Sequence, residues 1–187
     1  MKNLYLIGGG GHCNSCIDVI EQEAKYDIKG IFDLPDKIGE KVLDYKIIDS
    51  DKNIKNYINE DNFFLVTLGQ IGIADKRLKY HNLNLATIIS PRSYVSNHCS
   101  IGKGTIIMHD VVINANAIIG NNCIINTKAL IEHDAIIGDN CHISTSAIIN
   151  GHVKVGHESF IGSGAVTNNN ISIPPKSFVK ANSTIKK

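Results

Sequence analysis

Hydrophobic positions follow two different rhythms along the chain, and the rhythm changes near residue 87. In the first part the runs NLYLIG, IKGIFD and FFLVTLG predict short buried strands that stop at a glycine or an acid. Helical spacing of apolar residues predicts helices over HCNSCIDVIEQEAK, SDKNIKNYINED and IADKRLKYHNL. Alternating strands and helices are typical of a small parallel sheet, so residues 1–86 are expected to form an α/β domain of βαβαβ type.

From Ile89 onward an aliphatic residue returns at every sixth position. Fifteen of the sixteen positions at this spacing from Ile89 to Val179 are Ile or Val, and the exception is Thr167. A mostly small residue stands four places after each of them. A period of six with an inward aliphatic predicts a parallel β-helix of hexapeptide repeats, in which three hexads make one triangular coil of about 18 residues. Residues 87–187 are expected to form this second domain, with five coils and a fraction.

Residues one coil apart fall on the same face of such a prism. The spacing places His133 beneath Gly151 and Asp134 beneath His152. It also predicts a ladder of stacked polar side chains, at Asn114, Glu132, Asn150 and Asn168.

The triplet Glu132-His133-Asp134 is the strongest candidate for chemistry. An adjacent carboxylate can raise the basicity of an imidazole and fix its tautomer, as a general base working near neutral pH requires. Solvated turn residues are the simpler interpretation for most of the eight histidines. His133 differs because acids flank it.

Composition narrows the possible functions. Nineteen Lys and Arg balance eighteen Asp and Glu, and Trp is missing, so nothing indicates nucleic acid or an anionic membrane as a partner. Without a long apolar run or a signal-peptide pattern, a cytoplasmic protein is expected.

The five cysteines are expected to be reduced. Cys13 and Cys16 form a C-x-x-C pair that could serve redox or zinc chemistry, but no second pair stands at zinc spacing.

Nearly the whole chain resembles one family of enzymes. The segments IGGGGH, INTKALIEHD, HISTSAIINGHVKVG and FIGSGAV are similar to those of the hexapeptide-repeat sugar acetyltransferases of the sialic-acid and bacillosamine pathways, the PglD/NeuD-like family. The resemblance implies a Rossmann-like domain over residues 1–86 that binds sugar or nucleotide. It also implies a left-handed β-helix over residues 87–187 that binds acetyl-CoA, and a homotrimer with the CoA in a groove between two chains.

The resemblance also implies roles for particular residues. His133 would be the general base that takes a proton from the sugar's amine or hydroxyl as that group attacks the thioester, and Asp134 would polarise it. Gly151 and His142 match positions near the thioester, where the Gly151 N–H would donate to the developing oxyanion. Ser163 matches a cofactor-lining position. No metal is expected.

The glycine-rich loop over residues 8–13 follows the first predicted strand. Such a loop lets backbone N–H groups approach a phosphate at a helix N-terminus, although a simple tight turn is the alternative. It is not the dinucleotide fingerprint, because Cys13 stands where that pattern needs glycine. Arg77 either contacts phosphate or is a solvated helix charge, and the second is favoured. The resemblance implies substrate-binding positions at Gly10, Gly11, His12, Asp33 and Gly69.

The expected reaction is acetyl transfer to the 4-amine of a nucleotide-linked 4-amino-4,6-dideoxy sugar. O-acetylation of a sialic or related nonulosonic acid is the alternative, and ISTSAIING is somewhat closer to that branch. A non-catalytic β-helix scaffold is the alternative of another class. The C-terminal VKANSTIKK lacks the family's Gly-x-Pro-Ala stretch and TNNNIS replaces an ordinary hexad, so the contacts to the CoA tail stay open, as does the choice among UDP, dTDP, GDP and CMP.

Overall fold

The structure, a computed structural model, describes residues 1–69, 72 and 74–186. By its internal contacts the chain divides into two compact units, Met1–Ala86 and Thr87–Lys187. Among the described residues, no helix combines the length and the hydrophobicity that a bilayer span needs.

The first unit is built around a five-stranded sheet. Its strands are β1 (Lys2–Ile7), β2 (Tyr26–Asp33), β3 (Lys41–Val42), β4 (Tyr45–Ser50) and β5 (Asn62–Val66). Their order across the sheet is β3-β4-β2-β1-β5, with parallel pairing except between β3 and β4. The helices are α1 (Gly11–Glu23), α2 (Ala74–Leu78) and the 3-10 helices Pro35–Lys37 and Asp51–Tyr57.

Strand β1, which lies between β2 and β5, shows why this part of the chain has runs of apolar residues. Leu4 and Leu6 are fully buried on one face of the sheet and Ile7 on the other, as expected for a parallel strand covered on both sides. Helix α1 buries one stripe of residues, ending where Ala24 adopts a left-handed conformation and donates its N–H to Ile20. The Rossmann-like expectation for this unit is confirmed.

Two of the predicted helices differ from the structure. The segment SDKNIKNYINED forms only the 3-10 helix Asp51–Tyr57, because it buries a single aliphatic side chain, Ile54, which cannot anchor several helical turns. The last predicted helix, IADKRLKYHNL, is helical only over α2, and the residues after Leu78 form turns. Its first residue, Ile73, lies outside the described residues. The sequence analysis missed β4, whose apolar pair Ile47 and Ile48 is too short to stand out as a strand.

The second unit is a prism with three parallel sheets as its faces. The seventeen strands β6 to β22 are, in chain order, Ile88–Ile89, Tyr94–Val95, Ser100–Ile101, Ile106–Ile107, Val112–Ile113, Ile118–Ile119, Ile124–Ile125, Leu130–Ile131, Ile136–Ile137, His142–Ile143, Ile148–Ile149, Lys154–Val155, Phe160–Ile161, Val166–Thr167, Ser172–Ile173, Phe178–Val179 and Thr184–Ile185. The three faces hold six, five and six strands, because each strand pairs with the one three places along. Five coils and a fraction are confirmed.

The interior of the prism is filled by the residues that the six-residue count selected. Ile107, Ile125 and Ile131 are fully buried, and the small residues four places later, such as Ala135 and Cys141, are equally buried beside them. Stacking coils therefore builds one continuous apolar core from local repeats. The left-handed parallel β-helix is the form that the resemblance implied, and it is confirmed.

Every corner of the prism from residue 104 to residue 182 contains one residue with a left-handed backbone, three places after the aliphatic. Asn, Asp and Gly tolerate this conformation best, and they fill most of these positions. The period-six pattern of Asn, Asp and Gly is thus a second sequence signal, which the aliphatic count does not use. The corner residues are Gly104, Asp110, Asn116, Asn122, Lys128, Asp134, Asn140, Ser146, His152, Glu158, Gly164, Asn170, Lys176 and Asn182.

Candidate active site

His133 lies at the corner between β13 and β14, and its imidazole contacts the next residue. The Nδ1 atom is 2.7 Å from Asp134 Oδ2, and more than half of the His133 side chain is exposed. An ionised carboxylate can only accept a hydrogen bond, so this contact places the ring proton on Nδ1. The Nε2 atom then carries the free lone pair that a general base needs.

Neighbouring polar side chains hold the two acids beside His133 in place. Asn116, one coil away, donates from Nδ2 to Asp134 Oδ1 at 3.2 Å, which leaves Oδ2 to His133. Glu132 accepts both the His133 backbone N–H at 3.2 Å and Asn114 Nδ2 at 2.9 Å. This first step of the predicted polar ladder is confirmed. Its next step differs, because Asn150 bonds to the residue-167 backbone and hydroxyl instead.

The electrostatics of the corner keep Asp134 ionised. Hydrogen bonds from His133 and Asn116, in that order, hold the pKa of Asp134 below its usual value of 3.8, and an electrostatic interaction with His152 adds to the effect. The carboxylate is therefore negative at neutral pH, and it can stabilise a His133 ring that has accepted a second proton.

Gly151 lies against the base-bearing edge of the His133 ring. A Cβ built on Gly151 would be 3.0 Å from both Cε1 and Nε2 of His133, so only glycine leaves this ring undisturbed. The Gly151 carbonyl accepts from Asn170. Its N–H makes no hydrogen bond within the part of the chain that the structure describes.

A second histidine, which the sequence analysis placed above Asp134 without giving it a role, completes the cluster. His152 Nε2 is 3.8 Å from Asp134 Oδ2, and the His133 and His152 rings meet edge to face with centroids 5.3 Å apart. The spacing of one coil predicted this proximity, and the coils are tied there by the His152 N–H, which donates to the His133 carbonyl at 3.2 Å.

Two predicted cofactor residues lie elsewhere on the prism. His142 belongs to strand β15, on a different face from the His133 corner, and it is nearly buried between Asn126 and the Phe160 ring. Ser163 is exposed at a third location, the turn after β18. Within one chain the structure brings Gly151 to His133 but does not bring His142 or Ser163 there.

In the first unit, the predicted substrate residues gather at the carboxyl end of the parallel sheet. The loop of Gly10 and Gly11 follows β1, Asp33 ends β2, and Gly69 follows β5, and these three strands are neighbours. A Cβ on Gly10 or Gly11 would meet no other described atom within 4 Å. The chain's own packing therefore does not require glycine there, whereas a closely approaching ligand would.

Asp33 already has partners inside the chain. Its Oδ2 accepts the Gly9 N–H at 2.7 Å and faces Lys37 Nζ at 3.4 Å, and its Oδ1 accepts the Leu34 N–H. The carboxylate therefore shapes the glycine loop directly. Its role in substrate binding stays a prediction.

Packing inside the first unit determines the environment of Gly69, His12 and Arg77. A Cβ on Gly69 would be 2.6 Å from the His12 ring, so Gly69 makes room for that imidazole. Burial and the nearby charge of Arg77 lower the pKa of His12 to about 4, which keeps the ring neutral. Arg77 is only 4% exposed, so its interpretation as a solvated helix charge was wrong.

The C-x-x-C pair faces the core of the first unit. Cys13 and Cys16 are fully buried in α1, and burial raises the pKa of Cys13 to about 11 and that of Cys16 well above its ordinary value. Both side chains are therefore neutral thiols, poorly suited to nucleophilic or metal-binding work.

Comparison with known families agrees with this architecture. Residues 3–82 match the PglD N-terminal domain, and residues 92–133 and 116–151 match the bacterial transferase hexapeptide (six repeats). No curated protein sequence matches the chain significantly.

Solved structures of similar proteins cover the chain from end to end. One is a histidine-to-asparagine variant of perosamine N-acetyltransferase from Caulobacter crescentus in complex with CoA and GDP-perosamine. It is 26% identical, with a TM-score of 0.89 over 100% of this chain and 90% of that chain. Another is the acetyltransferase domain of PglB from Neisseria gonorrhoeae FA1090, 25% identical, with a TM-score of 0.89 over 100% and 92%. The same domain in complex with acetyl coenzyme A has a TM-score of 0.86 at 25% identity over 98% and 92%.

Fold and repeat together define a hexapeptide-repeat β-helix protein with a Rossmann-like domain at its N-terminal end in sequence. More particularly, a PglD N-terminal domain followed by hexapeptide repeats, with sugar acetyltransferases as structural neighbours, is consistent with a PglD-like hexapeptide acetyltransferase, and this confirms the resemblance found in the sequence.

Proposed function

We propose that the chain transfers the acetyl group of acetyl-CoA to the 4-amine of a nucleotide-linked 4-amino-4,6-dideoxy sugar, with His133 as general base. One observation carries the proposal: His133 Nδ1 lies 2.7 Å from an ionised Asp134, with the opposite edge of the ring against Gly151. Similarity to an N-acetyltransferase in complex with CoA and GDP-perosamine supports the reaction class, an acetyl-CoA-dependent sugar acetyltransferase.

The proton path follows from the tautomer. His133 Nε2 takes a proton from the attacking amine as its nitrogen bonds to the thioester carbonyl carbon, and Asp134 stabilises the imidazolium that forms. The carbon–sulfur bond then breaks, and the proton held on Nε2 is available to the departing thiolate of CoA. The products are the amide and free CoA, so the transfer needs neither a covalent enzyme intermediate nor a metal.

Gly151 is the proposed oxyanion donor. Negative charge grows on the carbonyl oxygen during the attack, and a fixed backbone N–H stabilises it without reorganisation. Gly151 is adjacent to the Nε2 edge of His133, and this closeness to the base supports the role.

A site shared between chains would bring the other cofactor residues to His133. His142 and Ser163 lie away from His133 within one chain, so a second copy would have to supply them. An outward column of half-buried apolar residues on the face that leads into the His133 corner supports such packing, at Val112, Leu130, Ile148 and Val166. We infer a homotrimer, the rotational closure that the resemblance implies. Light scattering would check it, and an active monomer would contradict it.

The first unit is the proposed sugar and nucleotide site. Gly10, Gly11, His12, Asp33 and Gly69 surround the carboxyl end of its sheet, where ligands of open α/β sheets bind. Five free cysteines, four of them buried, and a reaction that consumes acetyl-CoA agree with a cytoplasmic setting.

Replacement of His133 by Ala tests the proposal. Loss of a general base should lower kcat about 10²–10⁴-fold at saturating substrates. His157 is a matched control, because its Nδ1 lies 2.8 Å from Glu158 Oε1 and its side chain is 51% exposed, against 53% for His133. His157→Ala, at another corner, should leave kcat unchanged. Activity of His133→Ala within a few fold of the wild type would remove the assignment.

An acceptor panel decides between the reactions. UDP-, dTDP- and GDP-linked 4-amino sugars are compared with free and CMP-activated nonulosonic acids by release of the CoA thiol. Turnover of the nonulosonic acids alone would establish O-acetylation in place of N-acetylation. Absence of thiol release with every acceptor, from a folded trimer, would favour a scaffold.

A further inference from the structure

We propose that His133, Asp134 and His152 form a Zn²⁺ site whose occupation switches off the general base. The inhibitory part of this inference rests on the proposed function, whereas the binding part rests on geometry alone. Two imidazoles and one carboxylate, with a fourth position left open, are a donor set that zinc binds in proteins.

The three side chains already converge on one point. One ligand atom from each of His133, Asp134 and His152 lies within 4.8 Å of the others. Asp134 Oδ2 is the shared centre, 2.7 Å from His133 Nδ1 and 3.8 Å from His152 Nε2. In a tetrahedral zinc site with bonds of about 2.0–2.2 Å, neighbouring ligand atoms are about 3.4 Å apart. The two distances bracket this value, so small side-chain rotations complete the site.

The backbone of the site is fixed before any ion arrives. Asp134 and His152 occupy equivalent left-handed corner positions, both with φ of 59°. The Asp134 N–H donates to the Ala115 carbonyl at 3.1 Å, and the His152 N–H donates to the His133 carbonyl at 3.2 Å. Asn116 bonds to Asp134 Oδ1 and so orients Oδ2 toward the two imidazoles, as the outer partners of metal ligands do.

The donor chemistry selects the type of ion. Imidazole nitrogen suits zinc and its neighbours in the transition series, whereas Mg²⁺ and Ca²⁺ prefer sites made of oxygen. The half-exposed histidines leave the corner open to an ion from solution. Mg²⁺ is therefore a matched negative control for Zn²⁺.

Zinc on His133 Nδ1 would remove the catalytic lone pair. A neutral imidazole with a metal on Nδ1 carries its proton on Nε2, because one nitrogen donates and the other binds the ion. The Nε2 atom can then no longer accept a proton from the sugar amine. Asp134 would also bind the metal in place of His133. The base would then lose both its free lone pair on Nε2 and its hydrogen bond to Asp134.

Zinc binding is tested first without substrates. Metal-free wild type competes with a fluorescent zinc chelator and should take up one Zn²⁺ per chain, and Mg²⁺ should not displace it. His152→Asn keeps a residue that tolerates the corner backbone, and it should weaken Zn²⁺ binding about tenfold or more. His157→Ala should bind like the wild type. Equal Zn²⁺ affinity of His152→Asn and wild type, or no uptake by wild type, would overturn the site.

Inhibition is tested next in the acetyl-transfer assay. Zn²⁺ should inhibit the wild type reversibly, with recovery on addition of EDTA, and should inhibit His152→Asn only at correspondingly higher concentration. Equal inhibition of both proteins would overturn the switch. A wild type that binds zinc as expected, together with a fully active His133→Ala, would refute the proposed function and leave the metal site standing.

Discussion

A single methyl group on Gly151 should disable the base without removing any functional group. In Gly151→Ala the new Cβ would be 3.0 Å from both Cε1 and Nε2 of His133. Ordinary contacts between such atoms are about 3.5–4.0 Å, so the ring has to retreat by about 0.5–1 Å. Alanine keeps the backbone N–H, and the proposed oxyanion donor therefore remains.

The size of the effect follows from this displacement. A misplacement of about 1 Å in a reacting group can cost about 10²-fold in rate, so kcat/KM should fall about 10- to 100-fold. Fold stability should not fall with it. Gly151 does not have a left-handed backbone, and replacing glycine by alanine at a compatible position stabilises by about 0.4–1 kcal/mol through the unfolded chain.

A double-mutant cycle separates ring displacement from other causes. Gly151→Ala is measured by thiol release in the wild-type and in the His133→Ala background, with thermal unfolding of all four proteins. The methyl should cost activity only when the ring is present. The placement of the ring over Gly151 would be refuted in either of two cases. In one, Gly151→Ala changes kcat/KM by less than twofold when His133 is present; in the other, it lowers kcat/KM equally with and without His133.

Two further changes test the corner and the coil stacking. Asp134→Asn should lower kcat/KM about ten- to hundredfold at constant size, because the amide no longer fixes the His133 tautomer. The pKa of Asp134 is depressed below 3.8 in the folded state, so its contribution to stability is fully present above that pH and is lost as the pH falls through the lower folded value. Urea denaturation should therefore show that the wild type exceeds Asp134→Asn in free energy of unfolding by a constant amount above about pH 5, and that this excess shrinks in stronger acid. An excess that grows in acid would contradict the predicted sign. Gly120→Ala should destabilise by about 1–3 kcal/mol, since its Cβ would be 2.7 Å from the Asp139 nitrogen and 2.8 Å from the Gly138 carbonyl carbon. Gly10→Ala, with open space around its Cβ, is the control in thermal unfolding, and equal melting temperatures for the two variants would refute the close stacking.

The candidate site was only partly predictable. Counting along the repeat placed Gly151 over His133 and His152 over Asp134, because a strict period converts sequence separation into position on the prism. His142 lies nine residues after His133, which is half a coil, so the repeat places it on a different face of the prism. The resemblance nevertheless grouped the two, and a second chain is the physical means by which they would meet.

In the first unit, sequence patterns were weaker guides. The strand β4 and the 3-10 helix Asp51–Tyr57 carry few apolar residues, so their structure depends on the sheet beside them. Arg77 looked like a surface charge because helical spacing says nothing about what covers a short helix. The resemblance singled out Asp33, but its bonds to the glycine loop required the fold.

The sequence by itself determined the prism, because each hexad buries its own aliphatic against the next coil and the interactions that decide the fold are local and repeated. It also determined which residues share a corner. Only the tertiary structure decided how close the side chains come: 2.7 Å between Asp134 Oδ2 and His133 Nδ1, 3.8 Å between the same oxygen and His152 Nε2, and 3.0 Å between a Cβ built on Gly151 and the His133 ring. The period fixes backbone positions, whereas these distances depend on side-chain rotations that neighbouring coils select.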